Sequence, residues 1–114
     1  MYQIAVLNHF KKELKPYLKK YDSLREIIVQ VLRSFDARQN TALGQGLYKI
    51  RLATPGLGKG KSKSFRLIIL VLKIEQLLVP VTIYYKGDRA NMTRRELNQH
   101  LRVVNMELDL RQYL

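Results

Sequence analysis

The chain has 114 residues, of which 46% are hydrophobic and 26% charged; 21 Lys or Arg against nine Asp or Glu give a net charge of +12. That length suits one domain over residues 1–114, with its core over about 1–104 and a C-terminal helix or tail to 114, and the composition excludes a disordered chain. The charge calls for a polyanionic partner, and the absence of cysteine excludes disulfides and thiolate zinc sites.

Tyr2 to Leu7 is a short apolar, β-branched run that suits a first strand. Asn8 is placed to cap the next element, where Phe10, Leu14, Leu18 and Tyr21 recur at helical spacing over residues 9–21, with a kink expected at Pro16. Ser23 and Glu26 have the S-x-x-E form of a capping box, ahead of an apolar stripe through Leu24, Ile28, Leu32 and Phe35. A second helix over 24–38 follows. Gln39 to Gly46 reads as a polar loop.

The period then falls to two. Leu47 to Thr54 alternates Tyr48, Ile50 and Leu52 with Lys49 and Arg51, as a half-buried strand does. A Gly- and Lys-rich loop over 55–64 leads into Phe65 to Ile74, apolar enough for a central strand covered on both faces. Glu75 and Gln76 turn the chain into a last strand, Leu77 to Tyr85, in which Pro80 is expected at a bulge or on an unpaired side. Thr93 and Glu96 form a second capping box and open a helix through Leu97, Leu101 and Val104. The order is β-α-α-β-β-β-α, an α+β fold with a small, mainly antiparallel sheet packed against helices. No leading stretch reads as a signal peptide, and the longest apolar run is broken by Lys73, Glu75 and Pro80. A soluble cytoplasmic protein without membrane association is expected.

From Ala37 to Ile74 there is no acidic residue but eight Lys or Arg. Ordinary solvated surfaces mix signs, so such a block is expected to meet an anion. Alternation places Lys49 and Arg51 on one face of their strand, about 7 Å apart. Arg66 opens the next strand and joins them if the two pair as a hairpin, while Tyr85 and Lys86 end the third. One of Tyr84 and Tyr85 should enter the core and the other face out. The loop ends in Gly60-Lys61-Ser62, but Pro55 stands where a P-loop needs its first glycine, and a strand follows instead of a helix, which excludes a nucleoside-triphosphate site. His9 and His100 read as surface residues, with no metal ligation expected from two such distant histidines.

The run Gly46-Leu-Tyr-Lys-Ile-Arg-Leu-Ala-Thr-Pro-Gly-Leu-Gly-Lys-Gly-Lys-Ser-Lys-Ser-Phe-Arg, followed by Tyr85-Lys-Gly-Asp-Arg-Ala-Asn-Met-Thr-Arg-Arg-Glu-Leu, resembles the RelE/HigB toxins of bacterial type II toxin–antitoxin systems over residues 46–101. The preceding strand and two helices agree with that family in order. The resemblance implies a RelE-like fold and a metal-independent endoribonuclease, or mRNA interferase, without a cofactor. Such an enzyme cuts mRNA on the ribosome, inhibits translation and is silenced by an acidic antitoxin. It carries the catalytic set over to Lys49, Arg51, Arg66 and Lys86, with Arg51 and Arg66 as transition-state clamps and Lys49 or Lys86 as the proton shuttle. Several family members place a His, Glu or Tyr near the cut as base; Tyr85 is the nearest counterpart. Lys59, Lys61, Lys63 and Arg89 are expected to contact RNA. The alternatives on the same scaffold are a non-catalytic RNA- or ribosome-binding module and a protein that docks an acidic partner.

Overall fold

A computed structural model describes residues 2–53 and 64–113, with side chains through Arg111. Its elements are β1 (Gln3–Ile4), α1 (Asn8–Leu18), α2 (Leu24–Arg33), β2 (Thr41–Gly44), β3 (Leu47–Leu52), β4 (Phe65–Leu72), β5 (Leu77–Tyr85) and α3 (Arg94–Tyr113), with a short 3-10 turn at Ala37–Gln39. The sheet order is β1-β5-β4-β3-β2; β1 runs parallel to β5 and the other pairs are antiparallel. The α+β class and the element order expected from sequence hold, with one strand added.

That strand, β2, lies in the stretch read as a polar loop. It folds back on β3 through Gly44, Gln45 and Gly46, all at positive φ. Only Gly46 is also forced by space: a Cβ there would sit 3.1 Å from the Val71 carbonyl oxygen, and its own carbonyl accepts the Val71 N–H at 2.8 Å. β1 is shorter than the expected Tyr2–Leu7. Its ladder with β5 advances to Ala5 N–H donating to Leu78 O at 2.9 Å, and the next donor in line would be Pro80, which has none. The expected bulge is at the same place: Ile68 pairs with Thr82 but Ile69 with Pro80, so β5 carries one extra residue.

The helices also differ from the pattern at their ends. Asn8 does not cap α1. The Glu107 carboxylate of α3 does, accepting from Asn8 N–H at 2.9 Å and His9 N–H at 2.8 Å. Pro16 is accommodated inside α1, within a turn of its end, and α1 stops at Leu18. Ser23 makes no side-chain cap, so the first capping box does not form. α2 ends at Arg33, not at residue 38, because Ser34 Oγ donates back to Gln30 O and Asp36 accepts from Arg38 N–H, drawing the backbone into the 3-10 turn. The second capping box forms in full: Glu96 N–H donates to Thr93 Oγ1 at 3.1 Å and Thr93 N–H to Glu96 Oε1 at 3.0 Å.

Both sheet faces are covered. One packs Ile50, Leu52, Phe65, Leu67 and Ile83 against Phe10, Leu24, Ile28 and Leu32 of α1 and α2. The other packs Leu47, Ile68, Leu70 and Val81 against Leu97 and Val104 of α3. Full coverage accounts for the continuously apolar β4 and β5. Among the described residues, no helix is long and apolar enough to cross a membrane.

Candidate nucleic-acid interface

The ladder registers align Arg51 of β3 with Arg66 of β4, and Arg66 with Tyr84 of β5. Directly opposed side chains share a face with Cβ atoms about 5 Å apart, so these three form one row across adjacent strands. Lys49, two residues before Arg51, lies on the same face. The row is on the α3 side of the sheet, at the N-terminal end of β4, with Arg66 and Tyr84 buried and Arg51 exposed.

Arg66 is 4% exposed, yet it is a cation opposite a cation. Its Nη1 donates to Ser64 Oγ and lies 3.4 Å from the Ser64 and Phe65 carbonyl oxygens. Its Nη2 is buried without a hydrogen-bond partner among the described residues, and neither Arg51 nor Arg66 forms an ion pair among them. Burial lowers the pKa of the guanidinium and Arg51 lowers it further. Stranding a buried donor is unfavourable, as is facing like charges across a ladder. The arrangement becomes favourable when an anion takes the Nη2 hydrogen bond and neutralises both guanidinium groups. Lys86 sits one rung beyond β5, its N–H donating at 3.0 Å to the same Ser64 carbonyl that Arg66 approaches.

Tyr84 and Tyr85 divide as alternation requires, but it is Tyr84 that joins the arginines. Tyr84 is buried, its hydroxyl 3.5 Å from Asn91 Oδ1; burial raises its pKa while Arg66 and then Arg89 lower it. Tyr85 lies on the opposite face. Its ring is 5.4 Å from that of Phe65, which Tyr17 and Tyr21 also meet edge-on, and it folds over Gly87. The sequence already showed that the two tyrosines part; which one meets Arg66 depends on the β4–β5 register, and the bulge beside Pro80 is part of that register.

Arg89 also has a structural occupation. Its Nη1 donates to Glu96 Oε2 at 2.7 Å, its Nη2 pairs with Glu96 Oε1, and its Nε donates to Asn91 O at 3.0 Å. The guanidinium lies over the Tyr84 ring, 5.7 Å from its centroid. Hydrogen bonds from Arg89 and then from Thr93 hold the Glu96 carboxyl down at about 2. Arg89 therefore ties the segment after β5 to the start of α3 and braces Tyr84. Lys59, Lys61 and Lys63 lie outside the described residues.

The two histidines are not the separate surface residues expected. They are 91 positions apart in the chain, yet His9 Nε2 and His100 Nδ1 are 2.8 Å apart. Glu13 Oε1 is 3.5 Å from His100 Nδ1 and accepts from Thr82 Oγ1 at 2.9 Å. The sequence held half of this signal, since His9 and Glu13 are four apart on one helix and share a face. The arrival of His100 from α3 is a tertiary fact. Burial lowers the pKa of His100, an effect that Glu13 opposes.

A family model described as the RelE toxin of the RelE/RelB toxin–antitoxin system matches residues 7–112. Among solved structures, the chain is similar to an arginine-to-alanine double mutant of the E. coli toxin RelE in the free state, with 19% identity, a TM-score of 0.54, and coverage of 78% of this chain and 87% of that one. It is also similar to the isolated E. coli RelE toxin in a P21 crystal form, with 19% identity, a TM-score of 0.51, and coverage of 90% and 99%. No curated protein matches.

Proposed function

The chain belongs to the RelE toxin family, and from that premise we propose that it is an mRNA interferase. It binds mRNA in the ribosome, cleaves it through the basic row on β3, β4 and β5, and so inhibits translation. In this reaction the ribose 2′-oxygen attacks the adjacent phosphorus and gives up its proton, while the bond to the 5′-oxygen breaks and that oxygen gains one. The chemistry needs charge on the pentacoordinate phosphorus stabilised more strongly than in the ground state, and protons moved at both oxygens.

The observation that carries this reading is Arg66: a buried guanidinium facing Arg51, with a donor that lacks a partner among the described residues. Donors fixed in advance toward the site where negative charge grows are what electrostatic catalysis requires. Arg66 and Arg51 then clamp the non-bridging phosphate oxygens, and Lys49 or Lys86 moves the proton. Tyr84 takes the place that sequence reasoning gave to Tyr85, its hydroxyl held beside the arginine row. Lys59, Lys61 and Lys63 contact the RNA backbone.

The partner that silences the toxin is an acidic antitoxin in the cytoplasm. A groove of about 490 Å³ on the α1–α2 side is lined by Ile4, Val6, Phe10, Leu14 and Val29, with Lys11, Lys15 and Arg25 along it. An apolar floor with a basic margin suits an amphipathic acidic segment.

The deciding experiment induces the wild-type chain and Arg66→Ala briefly and maps mRNA 5′ ends in each. New ends within translated codons, absent with Arg66→Ala, are expected. Intact translated mRNA under the wild-type chain refutes the nuclease reading and leaves the non-catalytic RNA-binding module.

A further inference from the structure

We propose that His9, Glu13 and His100 bind a divalent transition-metal ion of the zinc type, which clamps α1 to α3. The three donor atoms lie within 4.8 Å of one another, with separations of 2.8 Å between the ring nitrogens and 3.5 Å from His100 Nδ1 to Glu13 Oε1. A tetrahedral ion with ligand bonds of about 2.0–2.2 Å sets its donors roughly 3.3–3.5 Å apart. Two of the separations, 2.8 and 3.5 Å, bracket that range and the third is no more than 4.8 Å, so seating the ion takes side-chain rotation that parts the two imidazoles and draws Glu13 in.

The donor chemistry narrows the ion. Two imidazole nitrogens and one carboxylate suit zinc and its neighbours, and they suit magnesium and calcium poorly. A second shell is already built: Thr82, 1% exposed on β5, donates its hydroxyl to Glu13 and fixes the carboxylate. The histidine whose ring N–H now bridges the pair must shift that proton to its other nitrogen, leaving both facing lone pairs for the metal. Access is through a cleft of about 350 Å³ lined in part by Glu13, Tyr17, Thr82, Arg89 and His100.

The ion's role is structural. None of its ligands belongs to the arginine row, and the ion would add to the join that Glu107 of α3 already makes with Asn8 and His9 of α1. The site therefore stands whether or not the chain cleaves RNA, and its readout is stability.

The test uses the full chain without an added histidine tag, washed with chelator, and follows calorimetric binding and melting temperature as Zn²⁺ or Mg²⁺ is added. Zinc is expected to saturate at one ion per chain and raise the melting temperature, with magnesium inert. Glu13→Gln retains an oxygen for the Thr82 hydroxyl but loses the ligand charge; it and His100→Gln should each bind zinc at least ~10-fold more weakly. Thr82→Val should weaken binding about 10- to 100-fold through the second shell. Absence of a zinc-dependent rise, an equal response to magnesium, or a full rise retained in either ligand variant overturns the assignment. Should His100→Gln fail to fold, Glu13→Gln decides alone.

Discussion

Replacing Arg66 with methionine removes the buried guanidinium that faces Arg51 and keeps a side chain of similar length. Exchanging buried charge for well-packed apolar volume is often stabilising, so Arg66→Met should gain about 1 kcal/mol in urea unfolding. In the same variant mRNA cleavage should fall at least ~100-fold, the scale of losing one preorganised donor. A loss of stability instead would mean that Arg66 is integral to the fold and that its buried charge is satisfied. The tyrosines give a second comparison. Tyr84→Phe removes the hydroxyl beside the arginines and should slow cleavage by about 100-fold or more, whereas Tyr85→Phe, on the opposite face, should cleave within about twofold of wild type. Equal effects from the two variants would sink the role given to Tyr84. At this scale the sequence was informative about charge and blind to register. Lys49 and Arg51 are two apart in a strand, so they must share a face, but the opposition of Arg66 to Tyr84 and not Tyr85 needed the partner strand.

Local patterns located the helices well and their ends poorly. Thr93-x-x-Glu96 formed the box its spacing promised, while Ser23-x-x-Glu26 did not, since the Ser23 backbone itself is helical and leaves its hydroxyl misplaced for capping. β2 was missed because Thr41–Gly44 is a short edge strand whose pairing is created by the turn at Gln45 and Gly46. The Glu96 anchor has a pH consequence. Its carboxyl titrates near 4.5 when free and near 2 when folded, so folding depresses its pKa. Its contribution is therefore fully present above about pH 4.5 and is lost as the pH falls towards 2. Urea midpoints measured across that window should fall more steeply for wild type than for Glu96→Gln; parallel curves would show that the ion pair with Arg89 contributes nothing to folding. At the other end of α3, Glu107→Ala strips α1 of its cap. A cost of about 1 kcal/mol is expected, read as a drop in melting temperature of about 4–8 °C.

The whole molecule carries +12, and eight of its Lys and Arg lie in the acid-free stretch from Ala37 to Ile74 that also supplies Arg51 and Arg66. RNA affinity should accordingly fall steeply with salt. Changing Lys59, Lys61 and Lys63 together to alanine should reduce the slope of log affinity against log salt by about 2, at roughly 0.7 per lost contact to a single strand. Arg89→Ala should leave that slope nearly unchanged and lower stability instead, because Arg89 is spent on Glu96. A slope unaltered by the triple substitution would remove those lysines from the RNA path. The long-range features were the least visible in the sequence: the α1 cap and the His9–His100 contact each join residues more than ninety positions apart. The cap also sets an order in time. Asn8 and His9 leave the ribosome early, but their acceptor is residue 107, and at about 5–20 residues per second it is synthesised roughly 5–20 s later. Until then those two N–H groups have only water, so the first turn of α1 is expected to stay frayed on the nascent chain until the end of α3 arrives.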